Sequence, residues 1–90
     1  MTIDEAQAVA IRAVEFLARD DHRLGRFLAL TGVGPGDIAA GLSEPAFLAG
    51  VLDHVMSDES LLFLFCDHAG LAPDLPAFAR RRLSGPGDTW

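Results

Sequence analysis

The chain has 90 residues and a mass of 9.6 kDa, with 13 acidic against 7 basic side chains and a formal charge of −6. That length suits one domain with a single core, because a chain of this size buries about 60–65% of its surface. One cysteine excludes a disulfide scaffold, a 50% apolar composition excludes a disordered chain, and the acidic balance argues against nucleic acid, whose phosphates need clustered cations.

All seven basic residues are Arg, and Lys, Asn and Tyr are absent, a bias expected of a GC-rich bacterial genome. Met1-Thr2-Ile3-Asp4-Glu5 lacks the positive start and apolar stretch of a signal peptide. The longest run of large apolar residues, Leu61–Cys66, falls far short of the ~20 residues that cross a bilayer. A reduced cysteine in the cytoplasm and no membrane partner are therefore expected.

No stretch alternates apolar and polar residues as a strand does, whereas several repeat near 3.6. Thr2 and Glu5 form a capping-box pattern ahead of Ile3, Ala6, Ala10, Ala13, Val14 and Leu17, which predicts a helix over about 3–18. Asp20-Asp21 stops it and caps a second helix carrying Leu24, Phe27, Leu28 and Leu30, with Gly32 as its C-terminal stop. After Gly32-Val33-Gly34-Pro35-Gly36 a short helix is expected over about 35–41. Ser43 is expected to cap a fourth helix, with Pro45 in its first turn and Phe47, Leu48, Val51, Leu52 and Val55 on its apolar face. Ser57-Asp58-Glu59 caps a fifth over about 58–69, which Gly70 ends, and Pro73-Asp74 opens a sixth over about 73–83, with Leu75, Phe78 and Leu83 facing inward. Residues 85–90 show no periodicity and are expected to form a mobile tail after a domain spanning 1–84.

Leu61, Leu62, Phe63, Leu64 and Phe65 are consecutive, so they point all round a helix axis. Either the fifth helix is central in the bundle or another protein covers one face. A 38-residue shift partly superimposes the chain on itself: Asp20/Asp58, Leu24/Leu62, Phe27/Phe65, Gly32/Gly70 and Pro35/Pro73 coincide. The expected fold is an all-α bundle of five to six short helices with the fifth near its centre, open to reading as a duplicated three-helix unit. Val14, Leu17, Leu24, Phe27, Leu28, Leu30, Ile38, Phe47, Leu48, Val51, Leu52, Val55, Leu61, Leu62, Phe65 and Leu71 are the expected core.

Few residues promise chemistry. Asp21-His22, Asp53-His54 and Asp67-His68 are sequence neighbours, which do not face one another on a helix, while His54 and Asp58 are four apart and can meet. No Cys/His spacing suits zinc, no Gly-x-Ser-x-Gly elbow exists, and without Lys no phosphate loop can form, so no metal, cofactor or catalytic set is expected. Cys66 beside Asp67 is expected to be a buried core thiol. Gly32-Val33-Gly34 resembles the turn of helix-hairpin-helix DNA-binding modules, but Asp37 follows where a cation is wanted. Arg19, Arg23 and Arg26 share one side of their segment, and Arg80-Arg81-Arg82 end the last helix, where cations favour the dipole.

The pattern Asp21-x-x-Leu24-x-Arg26-Phe27-Leu28-Ala29-Leu30-Thr31-Gly32, Pro45-x-Phe47-Leu48-x-x-Val51-Leu52-Asp53-His54, Asp58-Glu59-x-Leu61-Leu62 and Gly70-Leu71-x-Pro73 resembles a small alphaproteobacterial family, domain of unknown function 3572. The resemblance covers about residues 8–83, with His22 where the family pattern is expected to place Pro. It implies a compact helical domain in a bacterial cytoplasm and carries no activity with it.

The leading expectation is a non-enzymatic adaptor or regulatory module that binds another protein, or a second copy of itself as a homodimer. Its surface would use Leu61, Phe63, Leu64, Arg19, Arg23 and Arg26. A nucleic-acid module using residues 31–36 with Arg23 and Arg26 is the alternative, and an enzyme built on His54, Asp53 and Asp58 is the third reading.

Overall fold

The computed structural model describes residues 1–84; the expected tail over 85–90 lies outside the described residues. The helices are α1 (Ile3–Ala18), α2 (Asp21–Thr31), a 3-10 turn (Pro35–Asp37) running into α3 (Ile38–Gly41), α4 (Pro45–Met56), α5 (Glu59–Ala69) and α6 (Leu75–Leu83). Among the described residues there is no strand, so the all-α expectation holds.

Side-chain caps set the starts of α1, α2 and α5. Thr2 accepts from the Glu5 N–H at 3.1 Å while the Glu5 carboxylate accepts from the Thr2 N–H at 2.8 Å, the reciprocal capping box that the sequence spells. The Thr2 N–H, and after it the Thr2 hydroxyl, hold the Glu5 carboxyl below its ordinary value of 4.5. Ser43 does not cap α4. Its hydroxyl donates to the Ala40 carbonyl at 3.1 Å, and Glu44 occupies the cap position without a side-chain bond.

Asp20 and Asp58 cap α2 and α5 in the same way. Asp20 Oδ1 accepts from the N–H of His22 at 2.9 Å and of Arg23 at 3.2 Å, and Asp58 Oδ1 accepts from Ser60 at 2.9 Å and Leu61 at 3.2 Å. Both capped helices have 11 residues and end on a glycine in the left-handed region, Gly32 at φ 76° and Gly70 at φ 69°. A side chain there would strain the backbone.

The 38-residue repeat of the sequence is therefore a repeat of structure, and it extends to packing. Phe27 of α2 meets His54 of α4 edge-on, with centroids 5.1 Å apart. Shifted by 38 in opposite directions, these residues become Phe65 and Phe16, whose rings lie 5.6 Å apart between α5 and α1. Each half thus places the phenylalanine of its second helix on the first helix of the other half. The third members diverge: α3 is a single turn, while α6 runs nine residues and packs against both α1 and α4.

This arrangement overturns the expectation of a central fifth helix. The centre is the junction of α1, α4 and α6, where Ala6, Ala10, Ala13, Leu17, Leu48, Val51, Leu52, Val55 and Ala79 are buried. Alanine faces let these helices approach closely, so small residues do what large ones were expected to do. α5 buries Phe65 and Cys66 and leaves Phe63 (48%) and Leu64 (49%) exposed. Leu30, expected in the core, is 65% exposed at the end of α2, and Phe78, expected to face inward, is 47% exposed beneath Arg81. Val14, Leu24, Leu28, Phe47, Leu61, Leu62 and Leu71 line the core as half-buried residues. Phe16, not expected there, is buried. Cys66 is buried as expected, and burial, with Asp74 nearby, pushes its thiol above the ordinary value of 9.0.

Candidate functional site

α2 and α5 are both peripheral, and a groove of about 500 Å³ opens between them. One wall is His22, Arg23 and Arg26 from the first turns of α2, and the facing wall is Ser60, Leu61 and Leu64 from α5. These are the same three helical positions, 38 residues apart. The repeat has put equivalent faces opposite one another, one basic and the other apolar with a hydroxyl. Leu30, His54, Ser57 and Asp58 complete the lining.

His54 is the anomaly of this surface. Its residue is only 9% exposed, in a place where the other half carries Phe16. The ring packs on Phe27, and Ser57 bonds only the His54 backbone carbonyl, at 2.6 Å. No protein group among the described residues hydrogen-bonds its ring nitrogens, and none of the fully buried polar atoms is left unpaired. The polar edge of the ring therefore opens onto the groove. Burial lowers the imidazole below its ordinary 6.5, the Arg26 charge lowers it further, and Asp58 works in the opposite direction. The ring is neutral near pH 7, a donor at one nitrogen and an acceptor at the other.

Four of the six residues singled out from the sequence, Arg23, Arg26, Leu61 and Leu64, line this groove. Arg19 does not; it lies in a separate polar crevice with Arg12, Glu15, His68 and Ala69. Phe63 is exposed but outside the groove lining. Arg23 also lies over the Phe16 ring at 5.0 Å and 3.8 Å from Asp20, which fixes its position on the wall. Arg80 is held elsewhere, by Asp53 through bonds of 2.9 and 3.2 Å between α6 and α4. Asp53 is thus turned away from His54, and the pair does not assemble into a catalytic set with Asp58. Sequence reasoning missed His22, Ser60, Leu30 and the open edge of His54. The register of His22-Arg23-x-x-Arg26 with Ser60-Leu61-x-x-Leu64 was the signal that could have found His22 and Ser60.

In the Gly32–Gly34 turn the Gly34 N–H donates to Asp37 Oδ2 at 3.2 Å, so a carboxylate of the chain itself occupies the place a phosphate would take. Among the described residues no cluster of three or more His, Cys, Asp or Glu could hold a metal ion. No described helix is long and apolar enough to cross a membrane.

The described residues thus form an all-α domain of repeated helix pairs with an amphipathic groove between α2 and α5. The family described as Protein of unknown function (DUF3572) matches residues 3–86, and the chain belongs to it. No curated protein and no solved structure matches the chain.

Proposed function

We propose that this protein is a non-enzymatic interaction module that holds a helical segment of another protein in the groove between α2 and α5. The observation that carries the reading is a groove whose apolar residues, Leu30, Leu61 and Leu64, are left uncovered by the described residues. Its volume suits one helical turn with two or three side chains, the scale on which helix-in-groove recognition sets its anchors. Nucleic acid has less support, because Asp37 fills the anion position of the turn and the net charge is −6.

The test is a tagged pull-down from the native host with nuclease-treated lysate, using wild type, Leu30→Asp, Leu64→Asp and Phe78→Asp. All three sites are exposed, so the fold tolerates each change. A protein partner retained by wild type and Phe78→Asp and lost by the two groove variants is expected. Recovery of the bait alone, or a partner indifferent to Leu30→Asp and Leu64→Asp, contradicts the reading. Loss of every partner on nuclease treatment favours nucleic acid instead.

A further inference from the structure

We infer that the groove selects a partner segment bearing a carboxylate beside its apolar side chains, and that His54 is the residue that reads the carboxylate, donating a ring N–H to it with Arg26 alongside. The inference rests on the docking reading above and names the chemistry of what docks. Three observations carry it. First, His54 is nine-tenths buried, has no hydrogen-bond partner on its ring among the described residues, and lines the groove. The polar edge of the ring stays accessible where the other half carries the wholly apolar Phe16 at the equivalent place, so packing alone does not require an imidazole here. Second, the wall beside it carries His22, Arg23 and Arg26 on a chain whose overall charge is −6. Arg23 is shared with Asp20 and Asp58 lines the same groove, so the charge left to favour an acidic partner is that of Arg26. Third, the groove's own carboxylate, Asp58, directs Oδ1 to the N–H groups of Ser60 and Leu61 and makes no hydrogen bond to the His54 ring.

The charged and titratable groups facing His54 are His22, Arg23 and Arg26 from α2 and Asp58 at the start of α5. In the free protein burial and Arg26 disfavour the imidazolium. A carboxylate seated on the ring reverses that balance, since an opposite charge in contact favours the charged form. Binding below neutral pH is then accompanied by proton uptake, and affinity rises as pH falls from 7.5 to 6.

Three synthetic 14-residue helices test this, each with a leucine stripe flanked by Glu, by Gln or by Lys. They are titrated into the full-length protein with its histidine rings followed by NMR. The Glu peptide is expected to bind at least tenfold more tightly than the Gln peptide and to shift the His54 ring signals, with the Lys peptide weakest. Its affinity is expected to rise several-fold from pH 7.5 to 6. His54→Phe should erase the preference for Glu over Gln while leaving Gln-peptide binding in place. Arg26→Gln, at an exposed position that cannot unfold the domain, should reduce the preference about threefold. Equal binding of the Glu and Gln peptides, or a preference unchanged in His54→Phe, overturns this inference and leaves the docking reading standing. Binding of none of the three overturns both.

Discussion

α2 and α5 are the same helix used twice. Each has 11 residues, an aspartate cap bonded to the same two N–H groups, a left-handed glycine at its end, and a phenylalanine driven onto the opposite half. They differ in what that phenylalanine meets. Phe65 finds Phe16 under the Arg23 guanidinium, and the contact is closed. Phe27 finds His54, with Leu61 at the position equivalent to Arg23, and the contact keeps a polar edge open to a groove. One side of the repeat has been completed as core, and the other carries a feature that packing alone does not require.

The largest expected effect tests that asymmetry. Phe65→Ala should cost about 3–5 kcal/mol, because a closed apolar site cannot refill, while Phe27→Ala should cost about 1 kcal/mol less, because groove water can enter beside His54. Denaturant titration of the two variants reads the difference, and equal losses break the comparison. The caps sharpen it from the other side. Asp20→Ala and Asp58→Ala should each lower Tm by about 5 °C, and by the same amount, since their geometries coincide.

A smaller effect separates the halves by pH. The folded protein holds His54 below the 6.5 at which an unfolded imidazole titrates, so below that pH the unfolded chain binds more protons. Stability should therefore fall as pH drops from 6.5 and level once the folded ring is itself protonated. A second loss should begin further down, as pH falls below the 4.5 and 3.8 of unfolded Glu5 and Asp20, both held low by N–H bonds. The N–H of Arg23 and then that of His22 lower Asp20. Unfolding curves against pH should lose only the upper step in His54→Phe. The smallest effect is on Cys66, whose buried, raised thiol should resist a thiol reagent such as DTNB in native buffer and react only on unfolding. Prompt reaction would place the thiol at the surface.

Local chemistry was legible in the sequence, and the packing order was not. Thr2/Glu5, Asp20, Asp58, Gly32 and Gly70 act over a few residues, so their pattern alone places the ends of α1, α2 and α5. The run Leu61–Phe65 misleads because size is a poor guide to centrality: Ala6, Ala10, Ala13 and Ala79 carry little hydrophobic signal yet allow α1, α4 and α6 to meet at the centre. α5 is left outside with Phe63 and Leu64 in solvent. Four groove residues could be named because exposed Arg and surplus Leu stand out singly. That they face one another depends on the two halves crossing, which only the 38-residue register foreshadows.

The most direct test of the account is the denaturation midpoint of His54→Phe at pH 7.5. An imidazole kept for recognition and unpaired in the free fold should be replaceable by the ring that already serves at position 16, so the midpoint should stay level or rise. A fall equivalent to more than about 1 kcal/mol would show that His54 is held by the fold itself, and would contradict its assignment to the groove.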